Sequence, residues 1–467
     1  MRLLWKCKSV VVEIIPKRRG NVCNESVTSR LWKTCEHSAK RCSAEIRRHV
    51  LADGAEPDAC DIDTNMDIVK PGFGEERFGV LPWREMLDLR TVVAARRAGG
   101  EDPAGLEHAP RFRRDEIGTF DSSDALAFAG AFGHDGDVRL FAATGDAVAI
   151  VEGDAVNVSL EGSGAQCVSA DPNDPNRVYV GTFDRGVFRS LDAGETWQSI
   201  GDGIPHKRVL SITVGPHTEN GRSIVYAGTE PSSVYRSTDD GATWDDLSAL
   251  RDVPSYDTWF FPPRPETHHV RWIAPHEGDR AKIVVGIELG GVLRTRDGGA
   301  TWQDRHPDAV IDPHVVHAHP ASNDRIYAIG GDGVSFSTDG GDSWTRDVDG
   351  MDRHYTWGLA VDPEDPDLWY VSAAPDPFRA HGEGDAQARL FRKRGASPWE
   401  PLELDGHGGV TTTIERMPYA LVVPRSAPGT LVCGLRNGTI LSSDDAGDSW
   451  HTSKADVPGI LAIAAVG

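Results

Sequence analysis

Side chains able to bind polar ligands are concentrated in one quarter of this chain. Nine of its seventeen histidines lie between His268 and His381. Imidazole, phenol and guanidinium groups form directed hydrogen bonds, and the last of these always carries charge. The candidate binding residues are Gln166, His268, His269, Arg271, His314, His354, Tyr355, Trp357, Arg389, Tyr419 and Arg436. They predict a pocket for a glycan, a peptide or another small polar ligand, although polar residues at strand starts can also be solvated rim groups.

Three residues of the chain have side chains that could take part in catalysis. Glu288, His354 and Tyr419 offer a carboxylate, an imidazole and a phenol, which act as acids, bases or nucleophiles in enzymes. The sequence does not decide whether they do so here.

The same histidines raise the question of a bound metal ion. The possible metal ligands are of types that suit zinc, manganese or iron. They are His268, His269, His314, His317, His354 and His381, together with Glu288. The spacing of His317 and His319 on a strand places both rings on one face, which is either the channel or a neighbouring blade. No HExxH motif is present. We therefore expect no metal and no other cofactor.

A repeated motif determines the fold that must position these side chains. Ser-x-Asp-x-Gly-x-Thr-Trp, or a variant of it, ends at Trp197, Trp244, Trp302, Trp344 and Trp450, and a copy without the acid ends at Trp399. The intervals between these tryptophans are 47, 58, 42, 55 and 51 residues, the length of a four-stranded propeller blade with its loops. Each unit contains four short runs of β-branched and aromatic residues bounded by turn residues, which predict strands.

The strands align from unit to unit, and the alignment predicts seven blades. Inner strands are expected at 167–172, 209–216, 270–275, 315–320, 359–363 and 420–424. An eroded unit over 139–160 comes before them, and the apolar segment 456–467 resembles an inner strand that closes the ring against it. The fold class is therefore all-β, a seven-bladed propeller, with six blades as the alternative. The candidate residues stand at the starts of the inner strands, beside the mouth of the central channel.

The acidic residue of each motif has a structural explanation. Its carboxylate can accept N–H bonds from the tight turn that follows, while the glycine supplies a positive φ and the tryptophan covers the turn. The structural acids are Asp192, Asp239, Asp297, Asp339 and Asp445. We expect them to stabilise turns and not to bind ligands.

With these motifs, residues 139–467 resemble the Asp-box, or BNR-repeat, propellers. That superfamily contains sialidases, sortilin-type receptors, certain glucanases and photosystem assembly factors. The stretches PPRPETHHVRWI (262–273), RHYTWGLAVDPEDPDLWYVS (353–372) and MPYALVVP (417–424) are similar to uncharacterised microbial proteins labelled glycosyl hydrolases. The resemblance implies the fold, but the superfamily's functions differ too widely to imply one activity.

A sialidase within this superfamily would need an arginine cluster, a Tyr–Glu pair and an acidic Asp. Candidates are Arg271, Arg353, Arg389 and Arg436, with Tyr355 or Tyr419, Glu230 or Glu288, and Asp184. The Arg-Ile-Pro signature near the N-terminus is missing, which argues against a sialidase. The first interpretation is thus a rigid binding propeller, and the alternative is another glycan-directed hydrolase or lyase.

The composition bears on partners and on the first part of the chain. The formal net charge is −22, and residues 121–467 contain only four lysines. Such a surface repels nucleic acid and anionic membranes, and its composition is similar to that of halophilic protein surfaces.

Residues 1–122 lack the repeat and hold five of the seven cysteines, at spacings that match no zinc motif. We therefore expect a weakly ordered extension, with helical turns at most around residues 83–95. The propeller is expected to follow over residues 123–467. We expect a cytoplasmic monomer without disulfides.

Overall fold

The computed structural model describes residues 3–7, 10–14, 138–406, 409–411 and 413–467. The chain divides into two units, Met1–Val80 and Leu81–Gly467. In the first unit, strands β1 (Leu3–Cys7) and β2 (Val10–Ile14) form an antiparallel hairpin. The rest of the expected extension, including the helical turns near 83–95, lies outside the described residues.

Seven antiparallel sheets build the second unit, and each is one blade of a β-propeller. Blade 1 contains β3 (Arg139–Ala143), β4 (Val148–Glu152), β5 (Ala155–Ser159) and the last strand of the chain, β31 (Ala462–Val466). Blade 2 contains β6 (Ala165–Asp171), β7 (Asp174–Thr182), β8 (Val187–Ser190) and β9 (Gln198–Ser199). Blade 3 contains β10 (Val209–Glu219), β11 (Arg222–Thr229), β12 (Val234–Ser237) and β13 (Asp245–Asp246). The seven-bladed prediction is confirmed.

The remaining blades follow in chain order. Blade 4 contains β14 (Val270–Pro275), β15 (Ile283–Ile287) and β16 (Gly291–Thr295), and blade 5 contains β17 (Pro313–Ala318), β18 (Ile326–Gly330), β19 (Gly333–Ser337) and β20 (Thr345–Arg346). Blade 6 contains β21 (Tyr355–Val361), β22 (Leu368–Ala374), β23 (Arg389–Arg394) and β24 (Glu400–Pro401). The hairpin β25 (Leu404–Gly406) and β26 (Gly409–Thr411) leads to blade 7, which contains β27 (Pro418–Val422), β28 (Leu431–Leu435), β29 (Ile440–Ser443) and β30 (His451–Thr452).

Helical structure in the described residues is confined to short connections. Two 3₁₀ helices, Ser248–Asp252 and Tyr256–Thr258, link blades 3 and 4, and one helical turn, Pro377–Ala380, follows β22. None of the described helices has the length and apolar character needed to cross a membrane.

The second strand of each blade forms the core between neighbouring blades. Strands β15, β18 and β28 are buried along their whole length, which explains why their sequences are apolar runs and do not alternate. A glycine in the second strand permits close packing of neighbouring blades. In β11, the second strand of blade 3, a Cβ on Gly228 would lie 2.6 Å from a Val270 methyl carbon in the next blade. Burial of these faces supplies the main stabilisation of the ring.

The C-terminal strand closes the ring as predicted. Strand β31 pairs with β3 from Arg139↔Val466 to Ala143↔Ala462. Just before it, Ile460 is fully buried in the core cluster shared by blades 1 and 7. Both ends of the propeller region therefore belong to one sheet, blade 1, which contacts blades 7 and 2 on its two sides.

The five structural acids form turns between the third and fourth strand positions of their blades; we call them the Asp turns. In the first, Asp192 Oδ1 accepts bonds from the Ser190 hydroxyl (2.7 Å) and the Thr196 amide (2.9 Å). Gly194 has a φ of 90° and donates its N–H to the Ser190 hydroxyl oxygen. Asp239, Asp297, Asp339 and Asp445 make the same bonds. Each carboxylate is thus satisfied within its own turn.

Both cysteines in the described propeller residues are buried and free. Cys167 lies in β6 and Cys433 in β28. Burial raises the pKa of the Cys167 thiol to about 12, and it also raises the pKa of Cys433. These thiols behave as small core residues.

Candidate functional site

One mouth of the central channel collects charged and aromatic side chains from four blades. In an antiparallel blade the inner strand begins where the second strand ends, so residues at these two positions meet. We define the mouth cluster as His269, Arg271, Glu288, Asp312, His314, Tyr355, Trp357, His381, Tyr419 and Arg436. They come from blades 4 to 7.

Glu288, which directly follows β15, contacts the charged residues on one side of the mouth cluster. Its Oε2 accepts a bond from His269 Nε2 at 2.9 Å and lies 3.7 Å from Arg271 Nε. Burial alone would raise the pKa of Glu288, but the interactions with His269, His314 and Arg271 outweigh it and lower the pKa to about 2. Glu288 is therefore ionised at neutral pH.

His269 lies next to a group of ion pairs around the buried side chain of Glu230. Glu230 accepts bonds from Arg208 (2.6 Å) and from Arg264 Nε (2.6 Å) and Nη2 (2.5 Å). Burial opposes ionisation, yet the hydrogen bonds and charge of Arg264, with that of Arg208, hold the pKa of Glu230 below its usual value. Because both of its oxygens are engaged, Glu230 acts as a structural anchor for this part of the mouth.

Asp312 and His314 flank the start of β17 and face Glu288. Asp312 Oδ2 lies 3.7 Å from His314 Nε2, and the donor atoms of Glu288, Asp312 and His314 all lie within 4.8 Å of one another. Burial, followed by the nearby charge of Glu288, raises the pKa of Asp312 to about 7. Burial also lowers the pKa of His314 to about 4.

Aromatic rings form the other side of the mouth cluster. Tyr355 and Trp357 have centroids 6.2 Å apart with planes at 24°, and Tyr419 lies 5.1 Å from Trp357 at 34°. The guanidinium carbon of Arg271 lies 4.9 Å from the Trp357 ring centroid, and that of Arg436 lies 5.7 Å from the Tyr419 centroid. All five side chains are partly exposed, so a ligand can reach them.

His381 joins the two tyrosines. Its Nε2 is 2.7 Å from the Tyr355 hydroxyl and its Nδ1 is 2.5 Å from the Tyr419 hydroxyl. Burial is the main reason that the pKa of His381 falls to about 3. A neutral imidazole has one N–H, so one tyrosine accepts from His381 and the other donates to it. Arg436 also donates to the His381 carbonyl oxygen, which fixes the loop after the helical turn.

The structure brings together most, but not all, of the residues that the sequence predicts for the site. His269, Arg271, His314, Tyr355, Trp357, Tyr419 and Arg436 contact one another directly or through one neighbour. His268 packs edge-on against Tyr256 and Trp259, and Gln166 donates to the carbonyl oxygen of Gly164. His354 is exposed, and Arg389 pairs with Asp352 at 2.8 Å.

His317, in β17, and His319, directly after this strand, contact different neighbours. His317 lies against Trp272, with ring centroids 6.0 Å apart, and His319 bonds to the Asp362 carbonyl oxygen in the neighbouring blade. Neither belongs to the mouth cluster. His319 therefore contacts the neighbouring blade and not the channel. The sequence left both of these arrangements open.

Sequence reasoning missed Asp312 as a member of the site. Asp312 precedes β17 as His269 precedes β14, and that shared position before an inner strand was the available signal. Nothing in the sequence indicates that the carbonyl oxygen of Thr356 bonds to His314, because this bond depends on the contact between blades 5 and 6.

Comparisons with known proteins support the fold. No family model matches the chain, and no curated protein matches it. Similar solved structures include a GH74 enzyme from Niastella koreensis, with 17% identity, a TM-score of 0.51 and coverage of 68% of this chain and 52% of that one. A GH74 xyloglucanase from Xanthomonas campestris has 18% identity and a TM-score of 0.46, with coverage of 68% and 46%. YCF48 from Cyanidioschyzon merolae has 14% identity and a TM-score of 0.44, with coverage of 63% and 86%.

Of these three structures, the Niastella koreensis enzyme, with a TM-score of 0.51, supports the propeller fold and nothing beyond it. The chain spans about half the length of the GH74 structures just named, and identities this low show a shared fold alone. The molecule is a seven-bladed β-propeller with a charged and aromatic channel mouth. Membership of the sialidase-like BNR family, which the motif resemblance implied, is not confirmed by any family match.

Proposed function

We propose that this propeller binds a glycan-type ligand at the mouth cluster. The observation that supports the proposal is the partly exposed group of Tyr355, Trp357 and Tyr419, whose rings are inclined by only 24° and 34°. A sugar ring has an apolar C–H face that packs on aromatic rings, and hydroxyl groups around its edge that need hydrogen bonds. Arg271 and Arg436 offer polar groups beside the aromatic side chains.

A glycan screen with matched variants tests this function. Full-length protein is applied to a broad glycan array, and the best ligand is then titrated calorimetrically into wild type, Trp357→Leu and Arg436→Gln. We expect each substitution to weaken binding at least tenfold, because Trp357→Leu removes the stacking surface and Arg436→Gln replaces the charged guanidinium with a shorter, neutral amide. Tyr256→Phe serves as a control, since Tyr256 contacts His268 outside the mouth cluster. Equal affinity in all variants, or an array without any binding, contradicts the proposal.

Hydrolysis of a glycan is the second candidate function. It is favoured by the Glu288 and Asp312 carboxyl groups, whose facing oxygens lie within 4.8 Å. Retaining glycosidases use two carboxyl groups about 5–5.5 Å apart as nucleophile and general acid. Incubation of polysaccharides with wild type and Glu288→Gln distinguishes the two functions: new reducing ends with wild type alone support hydrolysis, and binding without product supports the binding function.

A further inference from the structure

We propose that Glu288, Asp312 and His314 form a binding site for one divalent metal ion of the manganese or zinc class. Their donor atoms, two carboxylate oxygens and an imidazole nitrogen, lie within 4.8 Å of one another. Glu288 follows β15, whereas Asp312 and His314 stand at the start of β17. The two carboxyl groups and the imidazole therefore converge from adjacent blades.

The orientation of His314 is the independent evidence for a ligand. Its Nδ1 is 2.6 Å from the Thr356 carbonyl oxygen, and because a carbonyl only accepts, Nδ1 carries the proton. The lone pair of a neutral His314 is therefore on Nε2, which faces Asp312. The side chain is fully buried, and Nε2 has no hydrogen-bond partner among the described residues. A backbone carbonyl that fixes the histidine tautomer is the usual support of a metal-binding imidazole.

Neighbouring groups also hold both carboxylates in place. Glu288 Oε2 accepts from His269 Nε2 at 2.9 Å, and Asp312 Oδ1 accepts from the Leu289 amide at 3.2 Å. Such outer hydrogen bonds orient carboxylate ligands. The same loop that carries Glu288 thus positions Asp312, and His269 acts on Glu288 as a positioning residue.

The donor set and the spacing indicate which ions fit. One imidazole with two carboxylates suits Zn²⁺, Mn²⁺ or Fe²⁺ better than Mg²⁺ or Ca²⁺, which prefer oxygen alone. Metal–ligand distances of about 2.0–2.2 Å require each donor to move inward by about 1 Å. The partly exposed Asp312 side chain has room to move. Arg271 Nε, 3.7 Å from Glu288 Oε2, places one positive charge beside the site.

This inference does not rest on the proposed glycan function. It is tested with metal alone, so that failure of either proposal can be recognised separately. It does compete with the hydrolytic candidate, because carboxylates bound to a cation cannot also serve as glycosidic acid and nucleophile.

Calorimetric titration of chelator-treated, tag-free full-length protein with MnCl₂ and ZnCl₂ tests the site. We expect one equivalent per chain in wild type and at least tenfold weaker binding in Glu288→Gln, Asp312→Asn and His314→Gln. His317→Gln is the matched control, because His317 lies on the same strand outside the triad. The bound metal should also raise the Tm of wild type and of the control, but not that of the triad variants.

The possible outcomes distinguish a specific site at Glu288, Asp312 and His314 from weak binding of cations to the acidic protein surface. Several weak equivalents that persist in the triad variants overturn the proposal, as does a wild type that binds less than half an equivalent. Circular dichroism verifies the fold of each variant. If the buried His314→Gln protein does not fold, Asp312→Asn at the partly exposed position decides the result, and unchanged affinity there overturns the proposal.

Discussion

The Asp turns and the mouth cluster both contain carboxylates, but they satisfy them in different ways. Asp192 receives all its bonds from residues within four positions in the sequence, and the pattern recurs in four other blades. Glu288, Asp312 and His314 come from two blades and meet through tertiary structure. In the turns the Asp carboxylates have donors, whereas His314 Nε2 has no hydrogen-bond partner among the residues that the structure describes. Local, complete bonding indicates a structural role, and convergent, incomplete bonding indicates a site for a ligand.

Removing residues 459–467 should have the largest effect, because both regions depend on ring closure. The deletion exposes the edge of β3 and removes the buried Ile460 and the half-buried Ile463. We expect a loss of at least about 4 kcal/mol in the free energy of unfolding, from apolar burial and strand pairing together. Chemical denaturation followed by tryptophan fluorescence measures it. A deletion variant as stable as wild type would show that β31 does not close the ring.

Asp239→Ala should destabilise the protein without affecting the mouth. The substitution leaves the Thr243 amide and hydroxyl without their acceptor, and we expect a loss of about 1–3 kcal/mol. Thermal and chemical unfolding measure this loss, and Asp245→Ala, an exposed acid on the neighbouring strand, provides the control. If Asp239→Ala is as stable as that control, the turn bonds do not contribute to the fold.

The pH dependence of stability should separate the two regions. His381 has a pKa of about 3 when folded, against about 6.5 when unfolded, so the unfolded chain binds more protons between these values. His381 alone should therefore lower the stability by about 2 kcal/mol as the pH drops from 6.5 to 4.5. His314, with a pKa of about 4, acts in the same direction, whereas Asp312, with a pKa raised to about 7, acts in the opposite direction. Asp192, Asp297 and Asp445, with pKa values of about 2, should add a further loss only below about pH 4.

Substitution of His381 by Gln assigns the upper of these two windows. The ring nitrogens of His381 bond to Tyr355 and Tyr419. The charges of His314, Arg436, Glu288 and Arg271 also act on its pKa, so only the substitution isolates the share of His381. We expect the variant to lose part of the stability change between pH 6.5 and 4.5 and to keep the change below pH 4. An identical profile in the variant would assign the upper window to other groups.

The contrast also explains how much could be predicted from the sequence. The tryptophan interval and the glycine turns are local and recur in each blade, so they predict blades, the Asp turns and closure by β31. Glu288, His314 and Tyr419 were found because strand ends recur at fixed positions. Asp312 was missed although it precedes β17 as His269 precedes β14, because its closeness to Glu288 arises only where blades 4 and 5 meet. His381 lies in an insertion, and only the folded helical turn Pro377–Ala380 brings its ring between two tyrosines.

The most direct test measures stability and ligand affinity in the same two variants, Asp239→Ala and Tyr419→Phe. Tyr419→Phe removes the hydroxyl that bonds to His381 but keeps the ring. We predict that Asp239→Ala loses about 1–3 kcal/mol of stability and binds the array-selected glycan as wild type does, whereas Tyr419→Phe loses less than about 1 kcal/mol and binds at least tenfold more weakly. If both variants lose stability equally and neither loses affinity, the mouth cluster is packing, and the distinction between the two regions is wrong.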